Sequence, residues 1–294
     1  MSNNMQTTNS EEYMLKAYAK VNLGLRVIGK RDDGYHNIHT VMQKIDFYDE
    51  LTFTLNKKGV HFLSNSPPYE RDNICYKAAS LFLNATGIEG GVCIKLKKKI
   101  WIGSGLGGGS SDAATTLLGL NKFFGTPLNL QELYGLGLSL GSDVPFFLNG
   151  SIAEVKGRGE IVLSLKPLKP SPNLVLVYPK FPISTSWAYE NIENHLTKKS
   201  SSLKILLEAI SDNDLCRIAN NLCNDFEEIM MTNYPILKKI KERLYSLGAL
   251  GASLSGSGSC IYGILPYEYD ESKLTGGFSD LDVKIKFTKA IDEI

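Results

Sequence analysis

Five glycines fall within seven residues at 103–109, GSGLGGG, and Ser110, Ser111 and Asp112 follow at once. No other stretch limits the possible folds as much. Glycine gives up more conformational freedom on ordering than any other residue, so such a run persists where backbone must turn left-handed or approach something closely. Val92, Ile94 and Leu96 alternate before it as a strand does, and the spacing from Ser110 to Phe124, closed by Gly125, is helical. A strand, a bare loop and a helix start make a seat for an anion, because the first N–H groups of a helix lack internal acceptors and its dipole is positive there. A tight strand-to-helix crossing, with the serines as N-caps, asks for one or two glycines. Five point to a polyphosphate.

Standard nucleotide motifs do not account for the run. Gly103, Gly105 and Gly108 satisfy GxGxxG, but a dinucleotide site also wants an acidic residue about 20 positions on, closing the next strand. That region reads GTPLNLQEL, where Glu132 stands three residues after Asn129 as half of a capping box. A Walker A loop needs a lysine before its Ser or Thr, and Gly109 precedes Ser110 here. A protein-kinase glycine loop is a hairpin, whereas the chain from Ser110 onward is helical.

The surrounding pattern is that of an α+β protein. Leu15, Ala17, Ala19, Val21, Leu23, Leu25 and Val27 alternate along a strand whose other face carries Lys16, Tyr18, Lys20, Asn22 and Arg26. Asp32-Asp33-Gly34 is a turn, followed by separate alternations over 41–47 and 51–55. Helices are expected over 73–86, capped by Asp72 or Asn73 and stopped by Gly87, and from Asn129 to near Gly141. The stretch KPLKPSPN, 166–173, is the expected domain boundary. Beyond it come a strand over 174–178, helices near 203–211, 214–231 and 235–247, and ALGASLSGSGSCIYGIL, a strand, a second glycine-serine loop and a strand; a helix and a strand near 283–287 follow. Runs of strands and helices that do not alternate regularly imply mostly antiparallel sheets. The expected division is a disordered tail over 1–12, an N-terminal domain over 13–166 and a C-terminal α+β domain over 167–294.

Composition narrows the function. A formal charge of +1 on 294 residues, with acids and bases interspersed, argues against nucleic acid as the main partner. Five scattered cysteines without CxxC spacing, and four histidines outside any HExxH pattern, argue against zinc and for a reducing cytosol. The opening MSNNMQTTNSEE has neither the basic nor the apolar region of a signal peptide, and no apolar run approaches a membrane span. A soluble cytoplasmic protein without a membrane partner is the expectation.

Three motifs now carry a resemblance that covers nearly the whole chain. Residues 101–114 resemble the phosphate-binding motif of the small-molecule kinases that include galactokinase, homoserine kinase, mevalonate kinase and phosphomevalonate kinase. AKVNLGL, 19–25, resembles that family's first motif, and SLSGSGSCIYG, 253–263, its third. Within the family, AKVNLGLRVIGKRDDGYHNIHTV, GLGGGSSDAA and LGSDVPFF resemble the branch that phosphorylates a CDP-linked sugar alcohol in the non-mevalonate isoprenoid route.

The resemblance implies a two-domain fold, with an N-terminal ribosomal-protein-S5-domain-2-like domain and a C-terminal ferredoxin-like domain. It implies ATP with Mg²⁺, a small-molecule substrate, and a monomer or weak homodimer. Trp101, Ile102, Gly103, Ser104, Gly105, Leu106, Gly107, Gly108, Gly109, Ser110 and Ser111 would hold ATP, with Ser110 or Ser111 touching phosphate or metal. The family commonly has proline where this chain has Trp101. Asp143 would be the general base and Lys20 the cation that keeps it ionised. Read without the resemblance, Asp143 is a turn former after a helix and Lys20 a solvated strand lysine. Asn22, Tyr35, His36, Lys98 and Thr185 would contact the substrate, Tyr35 stacking on cytosine and His36 bonding to it. A homoserine- or mevalonate-type acceptor is the alternative within the family, and Gly34-Tyr35-His36 is the element that separates them. A non-catalytic binding module is the alternative outside it.

Overall fold

β1 (Tyr13–Lys30) runs into the Asp32–Gly34 turn and returns as β2 (His36–Asn56), its antiparallel partner. The structure, a computed structural model, describes residues 12–56, 58–192 and 201–292, so the tail expected over 1–12 lies outside it apart from Glu12. The two alternating stretches predicted over 41–47 and 51–55 are one continuous strand, because β2 serves two neighbours on its other edge. Ile38–Gln43 pair with β5 (Ile152–Gly157), and Glu50–Asn56 pair with β4 (Gly91–Lys97). Register shifts between Tyr18 and Ala19, Asn22 and Gly24, and Val27 and Gly29 twist the β1–β2 ribbon so that it can do both. β3 (Gly59–Ser64) lies parallel to β4, and β6 (Ile161–Ser164) antiparallel to β5.

Four helices cover one face of this seven-stranded sheet. In α1 (Ile74–Thr86) the Asn73 side chain accepts from the Cys75 N–H at 2.9 Å, and Gly87 ends the helix at φ 64°. α2 (Gly108–Phe123) leaves the glycine run, α3 (Leu130–Leu140) opens on the predicted Asn129–Glu132 capping box, and α4 (Val144–Phe147) is one turn long. Phe53, Phe82, Ile94, Leu117 and Phe146 fill the space between helices and sheet.

The second half of the chain contains β7 (Asn173–Tyr178), α5 (Thr185–Asn191), α6 (Ser201–Ser211), α7 (Leu215–Asn220), β8 (Cys223–Asn224) and α8 (Glu227–Asn233). α9 (Pro235–Ser246), β9 (Gly251–Leu254), β10 (Ile261–Leu265), α10 (Glu271–Gly277) and β11 (Lys284–Lys289) complete it. Its sheet, β11-β7-β10-β9, is antiparallel throughout, so the whole is α+β with mostly antiparallel sheets.

The single helix predicted over 214–231 is broken. Cys223 and Asn224 instead pair in parallel with Gly24 and Leu25 and tie the second half to the first sheet. Asn224 drives the break. Its side-chain amide donates to the carbonyls of Leu254 and Gly256 at 2.8 Å each, and its oxygen accepts from the Phe226 N–H at 2.9 Å. The Asp225 carboxylate pairs with Arg26 and accepts from the Val27 N–H at 2.9 Å. Both side chains give the backbone partners that a helix would otherwise supply.

Both faces of β1 are consequently covered. Lys20 and Asn22, on the strand's polar face, are 3% and 0% exposed, and Gly24 is held so close to α6 that a Cβ there would lie 2.4 Å from Leu203. Replacing Asn224 with Ala strands buried backbone groups on both sides of this junction. It should lower the unfolding free energy by about 2–4 kcal/mol, read from urea unfolding.

Candidate active site

The glycine run is fixed by its carbonyls. That of Gly103 accepts from the Ile183 N–H at 3.1 Å, that of Ser104 from Cys260 at 3.0 Å, and that of Leu106 from Lys20 at 2.9 Å. The Gly105 carbonyl takes both the Lys20 ammonium and the Ser255 hydroxyl, each at 2.9 Å. Gly103, Gly105 and Gly107 have φ of 64°, 79° and 71°. A Cβ on Gly105 would stand 1.9 Å from the Ser255 carbonyl oxygen, and one on Gly103 would stand 2.4 Å from Pro182. The crossing therefore needs more glycine than the one or two expected, and part of the run is explained by chain packing alone. Gly109 is different, since nothing lies within 4 Å of a Cβ there.

Serine capping of α2 is not observed. The helix begins at Gly108, two residues before the predicted start, and its N-cap is Gly107, with no side-chain bond. The Ser111 N–H donates to the Gly107 carbonyl at 2.9 Å, which leaves Gly108, Gly109 and Ser110 as the N–H groups without an intrahelical acceptor. They open on a cleft of about 820 Å³.

Most of the predicted residues line that cleft. Trp101 to Ser110 form one wall, with Lys20, Asn22 and Asp143 beside it and Tyr35 and His36 at the far end; Thr185 lines the cleft next to Ser257 of the second glycine-serine loop. Ser111 does not reach it; 1% exposed, it turns to a smaller cavity on the opposite side of α2. Ser104 and Leu106 are nearly closed off, and the Ser104 hydroxyl is spent on the Trp101 carbonyl at 2.6 Å. Trp101 lies flat on Tyr178 at 5.1 Å and 11°, with Phe47 edge-on at 5.3 Å, so an aromatic stack occupies the position where the resemblance leads one to expect proline.

Lys20 is the hub. Its ammonium donates to Asn22 Oδ1 at 2.6 Å and stands 3.7 Å from Asp143 Oδ2. Burial pulls its pKa below the ordinary lysine value, and Asp143 opposes that shift. Asn22 Oδ1 also accepts from the Gly256 N–H at 2.9 Å, so the second glycine-serine loop meets the first strand at the same atom. Asp143 is the N-cap residue of α4 and keeps 30% of its side chain exposed to the cleft.

The other end of α4 is held by Lys44, which faces Lys20 across the β1–β2 ladder. Its buried ammonium donates to the carbonyls of Phe147 at 3.1 Å and Asn149 at 2.7 Å. Burial alone pushes its pKa down to about 7. Nothing in the local sequence singles this lysine out.

Lys98 is paired, not a solvated strand end. Its ammonium bonds Asp49 and, at 2.7 Å, Asp112 Oδ2. Asp49 also accepts from the Ile100 N–H at 2.8 Å and so anchors the approach to the glycine run. Burial pushes the Asp112 carboxyl up to about 8, with Lys98 opposing and Asp49 adding to the shift.

At the far end, half-exposed Tyr35 carries the Arg158 guanidinium 4.8 Å from its ring centre, and the His36 ring lies 4.9 Å from that of Tyr189. Tyr189 and Arg158 were missed by sequence reasoning. Tyr189 shares α5 with Thr185, four residues on, and its hydroxyl pKa is raised by burial and by Asp143. Thr185 is the first residue of α5, where Ser184 is the cap, and its hydroxyl lies 3.2 Å from that of Ser257.

The Lys44 ammonium is charged in the unfolded chain up to pH ~10.4 but in the folded chain only to about 7. Between those values the unfolded state binds more protons, so this group makes stability rise with pH. Lys44→Met should flatten the slope of unfolding free energy against pH between about 7 and 10, measured by denaturant titration at several pH values.

Comparison with known proteins places the chain among kinases. It matches the GHMP kinases N terminal domain over residues 73–151 and GHMP kinases C terminal over 191–277. It is 40% identical to 4-diphosphocytidyl-2-C-methyl-D-erythritol kinase of Clostridium novyi over 268 residues, covering 88% of this chain and 95% of that one. The enzyme of that name from Thermodesulfovibrio yellowstonii is also 40% identical, covering 88% and 91%. A crystal structure of 4-(cytidine 5'-diphospho)-2C-methyl-D-erythritol kinase superimposes with a TM-score of 0.79 at 34% identity, over 95% of this chain and 99% of that one. Homoserine kinase from Cytophaga hutchinsonii, at 20% identity and a TM-score of 0.75 over 99% and 98%, shares the fold.

Proposed function

The chain belongs to the 4-diphosphocytidyl-2-C-methyl-D-erythritol kinases of the GHMP family, and on that premise we propose that it transfers the γ-phosphoryl group of ATP to the 2-hydroxyl of 4-diphosphocytidyl-2-C-methyl-D-erythritol, in the non-mevalonate route to isoprenoid precursors. The observation that carries the reading is one cleft with three parts in order. Free amide groups at the start of α2 form one end, the Lys20–Asp143 pair lies beside them, and Tyr35, His36 and Tyr189 form the other end.

Phosphoryl transfer leaves a protein little covalent work beyond positioning and charge compensation. The N–H groups of Gly108, Gly109 and Ser110, aided by the helix dipole, take the ATP phosphates. Asp143 accepts the proton of the acceptor hydroxyl as its oxygen attacks the γ-phosphorus, and ADP leaves. Lys20 pairs with Asp143 at 3.7 Å and stabilises negative charge on the attacking oxygen. His36 and Tyr189 receive the cytosine with Tyr35 stacked beside it, and Thr185, beside Ser257 of the second glycine-serine loop, contacts the acceptor.

Among the described residues no group of three acidic, histidine or cysteine side chains gathers to hold a metal. The donors present fit Mg²⁺ that arrives on the nucleotide, an ion that keeps waters and substrate phosphates as most of its ligands. The Ser110 hydroxyl, in the cleft wall, is the residue that would hold it, and the ion would neutralise charge on the β- and γ-phosphates. The reading divides the chain at 166/167, with both parts contributing to the cleft, and includes a cytoplasmic monomer or weak homodimer. No helix among the described residues is long and apolar enough to cross a membrane.

ADP release from Mg-ATP should occur with 4-diphosphocytidyl-2-C-methyl-D-erythritol and not with methylerythritol phosphate, homoserine or mevalonate. Turnover of one of the others in its place would discard the acceptor and keep the fold. Asp143→Ala should lower kcat by about two to four orders of magnitude while ATP affinity holds, and full activity in that variant would remove the general base.

A further inference from the structure

The acceptor in the reading above has three parts, a base, a diphosphate and the alcohol. Residues for the base and the alcohol are placed, at Tyr35, His36 and Tyr189 and at Asp143. The diphosphate between them carries two negative charges into a partly buried cleft and must pass a carboxylate. It needs a cation that is not already engaged. Of the cleft's lysines, Lys20 is committed to Asp143, Lys98 to Asp49 and Asp112, and Lys30 is also engaged.

Arg158 meets the requirement. It occupies the turn between β5 and β6 and lines the cleft. Its guanidinium lies over the Tyr35 ring at 4.8 Å and makes one hydrogen bond, to the Leu138 carbonyl at 3.3 Å. Among the described residues no carboxylate comes within 4 Å of it; the nearby Glu160 accepts from the Arg158 backbone N–H at 2.5 Å and lies 3.7 Å from Arg31. Its charge is felt at longer range by Asp33.

The turn is also tied to the chemistry. Gly159, at φ 133°, packs so closely that a Cβ would lie 2.0 Å from the carbonyl oxygen of Ser142, the neighbour of Asp143. Arg158 thus stands on the base-reading ring while its backbone is docked against the loop that carries the catalytic carboxylate. A planar guanidinium with spare N–H donors matches a diphosphate better than an ammonium would.

We propose that Arg158 is a specificity-determining residue that binds the diphosphate of the acceptor, resting on the Tyr35 face between turnovers. The assignment rests on the acceptor reading above. It separates two roles of this arginine, a ligand for phosphate and a mere support for the Tyr35 ring.

The test is calorimetric binding of cytidine and of CDP to enzyme saturated with Mg-AMP-PNP, so that CDP cannot occupy the nucleotide seat. In the wild type CDP should bind more tightly than cytidine. Arg158→Met should weaken CDP by about tenfold or more and leave cytidine within about twofold, and Arg158→Lys should restore part of the loss. In turnover, KM for the cytidylyl acceptor should rise by about the same factor, with kcat and the KM for ATP nearly unchanged. Equal losses for cytidine and CDP would overturn the assignment in favour of ring support, as would a preference for CDP that survives Arg158→Met. A wild type that binds neither compound would remove the acceptor reading and this assignment together.

Discussion

Four consecutive carbonyls, those of Gly103 to Leu106, are captured by the rest of the molecule, and the architecture of the site depends on that capture. The acceptors face four separate places: the segment before α5, the second glycine-serine loop, the Lys20 side chain and the Lys20 backbone. A loop held so completely by its oxygens cannot drift. The helix that leaves it therefore starts at a fixed point, with a glycine N-cap that supplies no oxygen of its own to the first N–H groups. The same bonds that join the two halves of the chain prepare an anion seat at their junction.

Three lysines around this junction are held in three ways. Lys98 has two carboxylates and is locked. Lys44 has two carbonyl oxygens at the end of α4, and burial shifts its proton affinity down to about 7. Lys20 has one amide oxygen, one carbonyl and a carboxylate 3.7 Å away. That last arrangement is the loosest, and its carboxylate is 30% exposed where those of Lys98 are 0% and 3% exposed. An ammonium held by neutral oxygens and facing a partly exposed carboxylate can answer charge that appears on an incoming oxygen. One already saturated by two carboxylates cannot.

Much of the fold was legible because its elements obey local rules. The alternation of β1, the Asn129–Glu132 box and the Gly87 stop each have a cause within a few residues, and each appears as read. The failures share a different cause. β2 is one strand because two neighbours divide it, and α7 and α8 are separated because Asn224 and Asp225 reach residues far along the chain. Neither fact leaves a trace in periodicity. Within the site, the three motifs marked residues whose neighbours in sequence are also neighbours in the cleft. Arg158, Tyr189 and Lys44 come from a hairpin turn, a helix and a strand with no motif of their own. Tertiary placement alone brings Arg158 and Tyr189 to the cleft and Lys44 to the end of α4.

The glycine run shows why a motif can be read correctly and for partly the wrong reason. Its abundance suggested phosphate because a crossing needs few glycines, yet Gly103, Gly105 and Gly107 are required by left-handed backbone, and the first two also by contact with the second half of the chain. The glycine that packing does not require is Gly109, whose Cβ direction is open. A side chain there would project into space with no protein neighbour, beside amide groups that have no intrahelical acceptor. Other glycines, Gly135 and Gly150 among them, have as open a Cβ direction; at Gly109 the open space borders the cleft and those amide groups, and that combination marks a ligand. By that criterion the phosphate reading rests on the last glycine of the run and the N–H groups next to it, while the earlier glycines hold the two halves together.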